Sequence, residues 1–225
     1  DMRMRELREL EERYPEFQTP DSPTQRVGGE PLEGFETVKH RVPMLSMENT
    51  YSYDELHAFD ARVQKMLGKT TTYFVEEKID GVSIALVYRN GTLEKGVTRG
   101  DGQFGDDVTA NVKTIASVPL CIPRAEEKTI PGIPDILEVR GEVYLPRKTF
   151  QLLNREKEEN GEQPFANPRN ACAGSLKLLD PKLVARRRLA LFVHGIGYSE
   201  GTVPDTQHEY LAFLHEAGLP VNVHY

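Results

Sequence analysis

Residues 75–81 read Val-Glu-Glu-Lys-Ile-Asp-Gly. The charged side chains of this segment give the first indication of the fold and function of the chain. The pattern at 72–79 predicts a β-strand, on which alternate side chains point to the same side. Glu76, Lys78 and Asp80 would therefore share one face. A solvated edge strand has such a face, but so does a lysine nucleophile held in a ligand pocket. In the second case the neighbouring carboxylates would favour the charged form of the lysine, whereas an amine attacks only when it is neutral. A nearby cation must therefore offset the carboxylates.

The sequence on either side of this segment predicts an α+β fold. Further strands are predicted at 82–88, 92–99, 136–145 and 189–198, and the first two are joined by a hairpin turn at Asn90-Gly91. Amphipathic helices are predicted at 53–67, 106–114, 148–159 and 206–217. Strands joined by hairpins, with helices grouped between them, indicate a mostly antiparallel sheet flanked by helices.

The N-terminal residues differ from the rest of the chain. Residues 2–14 carry apolar side chains at helical spacing, and Pro15 ends that helix. Residues 15–42 are rich in proline and glycine and show no hydrophobic period, so they predict an extended linker. We therefore expect a small helical piece with its linker at 1–42 and a main domain at 43–225.

The composition is that of a globular protein. The chain has 225 residues, 38% hydrophobic and 28% charged, and no apolar run reaches the roughly 18 residues of a membrane helix. No signal peptide is visible, and two cysteines far apart in sequence predict free thiols in a reducing compartment such as the cytoplasm. Two cysteines are too few for a cysteine-based zinc site. The net charge of −7 argues by itself against a nucleic-acid partner.

Charged side chains recur on other predicted strands. Arg99 stands in Thr98-Arg-Gly-Asp-Gly102, where glycines would let the backbone approach a ligand closely, although an ordinary solvated turn has the same residues. Glu138, Arg140 and Glu142 share one face of a later strand. Two distant strands with charged faces suggest a polar cleft. The six histidines show no metal-ligand spacing, so no protein metal site is expected.

Residues 165–177 are rich in small side chains, which permit close approach to another backbone or to a ligand. Arg169 and Lys177 could then reach phosphate groups, although a tight helix–loop junction would have the same composition. The arginines at 186–188 fit a solvated helix end. His194, in a predicted strand, fits a core position.

Taken together, these motifs resemble the bacterial NAD-dependent DNA ligases. Glu76-x-Lys78-x-Asp80-Gly81 is similar to the nucleotidyltransferase motif of DNA ligases, RNA ligases and mRNA-capping enzymes. The flanking segments are similar in order and spacing to the NAD-dependent ligases over practically the whole chain: 24–28, 40–47, 98–102, 137–144 and 165–170. The resemblance implies a nucleotidyltransferase (ATP-grasp-like) fold for the main domain. It implies that 1–42 is the remnant of a helical subdomain that binds nicotinamide mononucleotide (NMN).

The resemblance also implies a reaction. Lys78 would attack the α-phosphate of NAD, release NMN and hold AMP. The AMP would pass to the 5′-phosphate of a nick in double-stranded DNA, which is then sealed in replication and repair. Asp80 would orient Lys78 or engage a magnesium-bound water, and Mg²⁺ would neutralise the phosphates. The residues implied to contact the nucleotide are Glu76, Arg99, Glu142, Ser46, Met47 and Asp1.

Some parts of the family pattern have no match in this sequence. A later strand with a further lysine is missing, as are the oligonucleotide-binding, zinc and helix-hairpin-helix domains, so zinc is expected only in those domains. The local DNA-facing candidates are Arg169, Lys177 and the arginines at 186–188. Lys177 stands where the family usually has arginine, which weakens a bidentate phosphate contact. We expect a monomer without membrane contact.

Two other functions remain open. An ATP-dependent ligase or a capping-type nucleotidyltransferase has the same lysine motif, although not the flanking segments. A catalytically silent module would bind an adenine nucleotide without adenylating itself. The family's tyrosine-containing N-terminal segment, which grips NMN, has no match here apart from Asp1. Together with the missing later strand, this makes the third interpretation consistent with the sequence.

Overall fold

The computed structural model describes residues 2–19, 21–26, 32–122 and 132–224. The helices are α1 (Met2–Arg13), α2 (Tyr53–Leu67), α3 (Thr109–Lys113), α4 (Arg147–Glu159), α5 (Pro168–Leu176), α6 (Pro181–Arg187) and α7 (Gln207–Glu216). The strands are β1 (Thr37–Lys39), β2 (Val82–Arg89), β3 (Thr92–Thr98), β4 (Phe104–Asp106), β5 (Ile136–Tyr144) and β6 (Ala190–Glu200). Short 3-10 helices at Pro15–Phe17 and Pro23–Arg26 lie between α1 and β1.

The central feature is an antiparallel sheet in the order β3-β2-β5-β6. β2 and β3 are joined by the predicted hairpin, whose turn residues Asn90 and Gly91 have φ values of 50° and 81°. A tight two-residue hairpin turn requires positive φ at both positions, which an Asn-Gly pair adopts readily. β1 and β4 form a second, two-stranded antiparallel ladder. The expected α+β architecture is confirmed.

The two faces of the four-stranded sheet differ in chemistry. Ile84 and Leu86 of β2 are fully buried and lie in one core cluster with Val112 of α3, Leu176 of α5 and Leu211 of α7. Each such aliphatic side chain contributes about 1.5–3 kcal/mol when it leaves water. The alternate residues of β2 and β5 face the other way and carry the polar groups. The helices therefore cover the apolar face, and the polar face is available for a site.

The predicted strand at 72–79 is wrong. The segment is irregular, and Val75 within it is 77% exposed. A strand needs a neighbour that accepts and donates its backbone hydrogen bonds, and the described four-stranded sheet ends at β3 and β6. Glu76, Lys78 and Asp80 therefore do not share a strand face, and each of them is positioned by its own contacts.

Other expectations also change. The helix predicted from residue 106 begins only at Thr109, because Phe104–Asp106 pair with β1 as β4. The small-residue segment contains α5, which begins at Pro168 after Asn167, whose side chain accepts a capping hydrogen bond from the Asn170 N–H. Within the described ranges, no helix is long and apolar enough to cross a membrane.

Candidate active site

Arg99 and Glu142 meet at one end of the polar sheet face. Ser83 of β2 pairs with Glu142 of β5, and Ser83 Oγ donates a hydrogen bond to Glu142 Oε1 at 2.5 Å. The Arg99 N–H donates to the Ser83 carbonyl at 3.1 Å, so Arg99 lies beside this pair at the end of β3. Rigid strands thus place a carboxylate, a hydroxyl and a guanidinium side by side. The sequence reasoning missed Ser83, because a serine in a strand carries no distinct signal.

The carboxylate of Glu142 is the electrostatic centre of this group. Burial raises the pKa of Glu142, while the Ser83 hydrogen bond and the positive charges of Lys78, Arg169 and Arg99 lower it. The effect of burial is the larger one. Charges influence a pKa in this way only over short distances. Three cations from separate parts of the chain therefore gather around one half-buried carboxylate.

Lys78 itself is exposed, and Gly81 fixes the backbone beside it. A Cβ at position 81 would lie 2.4 Å from the Val143 carbonyl oxygen and 3.3 Å from Glu142 Cβ. Only glycine permits this approach of the irregular segment to β5. Because three residues span at most about 11 Å, the Lys78 backbone stays within that distance of the sheet.

Residues 37–47, which we name the strap, cross the polar face and carry Ser46 to Arg99. Arg99 Nη1 donates to Ser46 Oγ at 3.2 Å. Met47, the other predicted strap residue, is 73% exposed. The Met44 N–H donates to the Gly102 carbonyl at 2.8 Å, so the strap also touches the predicted glycine turn. Of the two strap residues predicted to contact a nucleotide, Ser46 is thus in contact with another predicted site residue.

Arg140 holds the strap onto the sheet. Its guanidinium donates to the carbonyl oxygens of Val42 at 2.6 Å and Pro43 at 3.1 Å. It also pairs with Glu138 at 3.3 Å, where the Glu138 side chain is only 3% exposed. The predicted shared face of Glu138, Arg140 and Glu142 is consistent with the register of β5. The donors of Arg140 are directed at the strap, whereas Glu142 lies at the Arg99 end of the cleft.

Gln207, at the start of α7, connects two further groups to the site. Its Nε2 donates to Glu76 Oε2 at 2.8 Å and to the His194 carbonyl at 2.7 Å. Sequence reasoning missed Gln207, because nothing local distinguishes a glutamine in the first turn of a helix. The contact fixes Glu76 against β6, although the strand predicted for that segment is absent.

The predicted core position of His194 is wrong, because its side chain is exposed. Val193 pairs with Gly141 and Gly195 with Arg140, so a bulge in β6 leaves His194 between two paired residues. Partial desolvation lowers the pKa of His194, as do the charges of Lys78 and Arg140. The ring is therefore close enough to Lys78 and Arg140 to respond to their charges. Gly195, which follows His194, could have predicted this bulge, since glycine within a strand often marks one.

The ends of α5 carry the two predicted phosphate-contacting residues. Arg169 Nε lies 3.7 Å from Asp80 Oδ1, which joins α5 to the lysine segment. Lys177 Nζ lies 2.6 Å from Asp106 Oδ2. Eight residues of helix separate them, or about 12 Å along the axis. The structure therefore brings Arg169 to the Lys78 cluster and leaves Lys177 at the far end of α5.

The remaining predictions concern Asp1, the cysteines and metals. Asp1 lies outside the described residues. Both cysteines are free; the Cys172 thiol donates to the Val143 carbonyl at 3.2 Å, and burial and the Glu142 charge raise its pKa to about 12. No group of three or more His, Cys, Asp or Glu side chains within the described ranges could hold a metal ion.

The chain is similar to known DNA ligases. Residues 32–225 match the family described as NAD-dependent DNA ligase adenylation domain, and residues 1–28 match the DNA ligase-like, N-terminal NAD⁺-binding domain. The DNA ligase of Thermotoga neapolitana is 54% identical over 225 residues, which are 100% of this chain and 31% of that protein. The DNA ligase of Hahella chejuensis is 50% identical over 226 residues, covering 99% of this chain and 32% of that protein. The chain thus spans about a third of the length of these curated relatives.

Proposed function

The chain belongs to the NAD-dependent DNA ligases, as their adenylation domain, and from that membership we propose that Lys78 is the nucleophile that accepts AMP from NAD. The Nζ–P bond forms at the α-phosphorus, and the bond from that phosphorus to the bridging oxygen breaks. NMN leaves with the electron pair on that oxygen. AMP remains on Lys78 as a phosphoramidate, passes to the 5′-phosphate of a nick, and is displaced by the 3′-hydroxyl.

The single observation that carries this proposal is the close approach of the Lys78 segment to β5 at Gly81, where an added Cβ would lie 3.3 Å from Glu142 Cβ. Glu142 accepts a hydrogen bond from Ser83, and Arg99 lies beside this pair. The attacking amine has to lose its proton before it bonds to phosphorus. The guanidinium of Arg169, which pairs with Asp80 beside Lys78, then faces the negative charge that develops on the α-phosphate.

The remaining site residues bind and orient the nucleotide in this proposal. Glu76, held by Gln207, faces the adenine, and Arg99 and Glu142 contact the ribose. Ser46 and Met47 of the strap lie along the bound nucleotide. Asp80 positions Lys78 through its ion pair with Arg169, and Asp1 belongs to the NMN contacts.

Mg²⁺ is a further part of the proposal. Carboxylate oxygens such as those of Asp80 and Glu142 suit this hard cation, which is usually held by one or two carboxylates together with substrate phosphates. When bound, Mg²⁺ neutralises phosphate charge. The described residues include no group of three metal-binding side chains, which fits an ion carried in mainly by the nucleotide.

We further propose that Arg169 and Lys177 contact the phosphates of nicked double-stranded DNA, and that the enzyme acts as a monomer in replication and repair. The acidic net charge of −7 then requires that most basic DNA-binding surface lies outside this chain. Both thiols are free, which supports a reducing compartment, the cytoplasm. Residues 1–42 act as the NMN-binding helical part with its linker, and 43–225 as the adenylation domain.

A second candidate is a chain that binds nucleotide but adenylates itself poorly when it is isolated. The exposure of Lys78 and Asp80 favours this candidate, because a nucleophile in open solvent is not preorganised for attack. The rest of the longer protein would then complete the site.

Mass spectrometry tests the proposal. The full-length protein incubated with NAD is expected to gain the mass of AMP, and Lys78→Ala to abolish that gain. Lys65→Ala, an exposed change on α2, is the matched control and should label normally. Labelling by ATP but not NAD would contradict the proposed substrate, and full labelling of Lys78→Ala would contradict the proposed nucleophile. Equal labelling of the isolated chain and the full-length protein would refute the second candidate.

A further inference from the structure

A second depression lies on the polar face of the sheet, at the end away from Glu142. Its aliphatic floor is formed by Ala85, Val87 and Val97, and the strap closes over it at Val38. Its volume of about 310 Å³ is sufficient for a small ligand. We name this depression the strap pocket. Because Ala85 pairs with Arg140, the Arg140 clamp lies between the strap pocket and the nucleotide end of the face.

Cationic side chains are concentrated around the strap pocket, although the chain as a whole is acidic. The charged lining residues are Lys39, Arg41, Arg89, Lys95, Glu94 and Glu138. Arg41 pairs with Glu200, Arg89 with Glu94, and Glu138 with Arg140. Among the described residues neither Lys39 nor Lys95 has an ion-pair partner.

Two uncompensated ammonium groups beside an aliphatic floor are suited to a particular kind of ligand. Lysine presents a compact point charge and is a common binder of phosphate groups. The paired arginines are already satisfied by carboxylates, so the net attraction for an anion comes from Lys39 and Lys95. The floor of Val87 and Val97 can accommodate an apolar portion of the same molecule.

The strap connects this pocket to the nucleotide end. His40 lies between Lys39 and Arg41 in the strap. Its Nε2 is 3.1 Å from the carbonyl oxygens of Thr98 and Arg99. Farther along the strap, Ser46 accepts a hydrogen bond from the Arg99 side chain. A ligand that restrains Lys39 therefore restrains the same segment that contacts Arg99 twice.

We propose that the strap pocket binds a small phosphate-bearing molecule through Lys39 and Lys95, and that its occupancy steadies Ser46 beside Arg99. Binding of the molecule to the strap pocket does not depend on the proposed adenylation chemistry. The effect of binding on the order of the strap can also be measured without catalytic activity.

Methyl NMR of the 225-residue chain tests the binding. With labelled valine, inorganic pyrophosphate is expected to shift the methyl signals of Val38, Val87 and Val97 saturably, while sodium chloride at matched ionic strength does not. The double variant Lys39→Ala/Lys95→Ala should weaken the apparent affinity about tenfold or more, since two charge contacts are lost. Lys65→Ala, outside the pocket, should leave it unchanged, and unshifted signals elsewhere in each variant show that the fold is kept.

Several outcomes would overturn the proposal. The three valines could fail to respond, or the double variant could bind pyrophosphate as tightly as the parent. If the valine shifts disappear in Arg99→Ala but persist in the lysine double variant, pyrophosphate binds at the nucleotide end instead. Valine shifts with a nicked duplex but not with pyrophosphate would make the pocket a DNA surface instead. Unchanged hydrogen exchange at residues 44–47 on saturation would refute the coupling.

Discussion

Gly81→Ala isolates the contribution of one backbone contact to the position of Lys78. The added Cβ would lie 2.4 Å from the Val143 carbonyl oxygen, so the two backbones have to separate by at least about 0.6 Å to reach a tolerable contact. Two responses are available. β2 and β5 can move apart, which breaks ladder hydrogen bonds, or the irregular segment before Gly81 can shift away from the sheet.

The second response is the easier one. The strands are held by a continuous register from Val82↔Val143 to Arg89↔Ile136, whereas residues 72–79 belong to no strand. We therefore expect a modest loss of stability, about 1–3 kcal/mol for a local overpacking. Lys78 and Asp80 move with the segment, and a misplacement of about 1 Å can slow a reaction on the order of 100-fold. Activity should thus fall much more than stability.

Two measurements separate these effects. Urea unfolding of the chain gives the stability change, and single-turnover formation of the AMP adduct in the full-length protein gives the rate. Gly174→Ala is the matched control: its Cβ meets nothing within 4 Å, and in helix α5 alanine should stabilise by about 0.5–1 kcal/mol. A Gly81→Ala protein that adenylates at the parental rate would refute the reasoning. So would a stability loss large enough to unfold the chain.

Three further predictions concern charged side chains of the sheet and of α5. The pKa of Glu142 is raised in the folded chain, so ionisation of Glu142 lowers the stability of the fold as pH rises through that pKa. Glu142→Gln should therefore stabilise the chain at neutral pH. Urea unfolding across pH should show this gain shrink in acid, where Glu142 of the parent is protonated. Arg140→Ala leaves the buried Glu138 carboxylate unpaired and should cost about 3 kcal/mol in urea unfolding. Arg140→Lys should recover only part, since an ammonium cannot replace the planar fork, and full recovery would contradict the clamp. Arg169→Ala and Lys177→Ala in the full-length protein should each reduce the slope of log affinity for nicked DNA against log salt by about 1, and an unchanged slope would remove that residue from the DNA contacts.

Local patterns in the sequence predicted those parts of the fold that depend on local chemistry. The Asn90-Gly91 turn determines its hairpin without help from distant residues, and the alternation in β5 correctly places Glu138 and Glu142 on one face. The short β1 and β4 strands could not be predicted in this way. Each has three residues, and they pair across more than sixty positions of sequence, so neither has a local period that is long enough to recognise.

The errors in the site have the same origin. The pattern at 72–79 suits a strand, but a strand also depends on a partner, which no local pattern supplies. His194 was placed in the core because it stands in a predicted strand, but it lies at a bulge in β6, where the alternation of the strand is interrupted, and its side chain is exposed. Arg140 was expected only to line a polar cleft, and its hydrogen-bond partners Val42 and Pro43, which lie almost a hundred residues earlier, could not be found from the local sequence.

The support of Lys78 differs from that of the groups around it. Arg99 and Glu142 are placed by strand register, which is rigid, while Lys78 lies in an irregular segment. The residues on either side of it are held by different elements: Glu76 by Gln207 of α7, and Asp80 by Arg169 of α5. Gly81 adds a third contact, with β5. Three separate attachments can position a side chain that no strand supports, and each of them can be removed without disturbing the core. The position of Lys78 is therefore expected to be more sensitive to substitution at Gln207, Arg169 and Gly81 than the stability of the fold is.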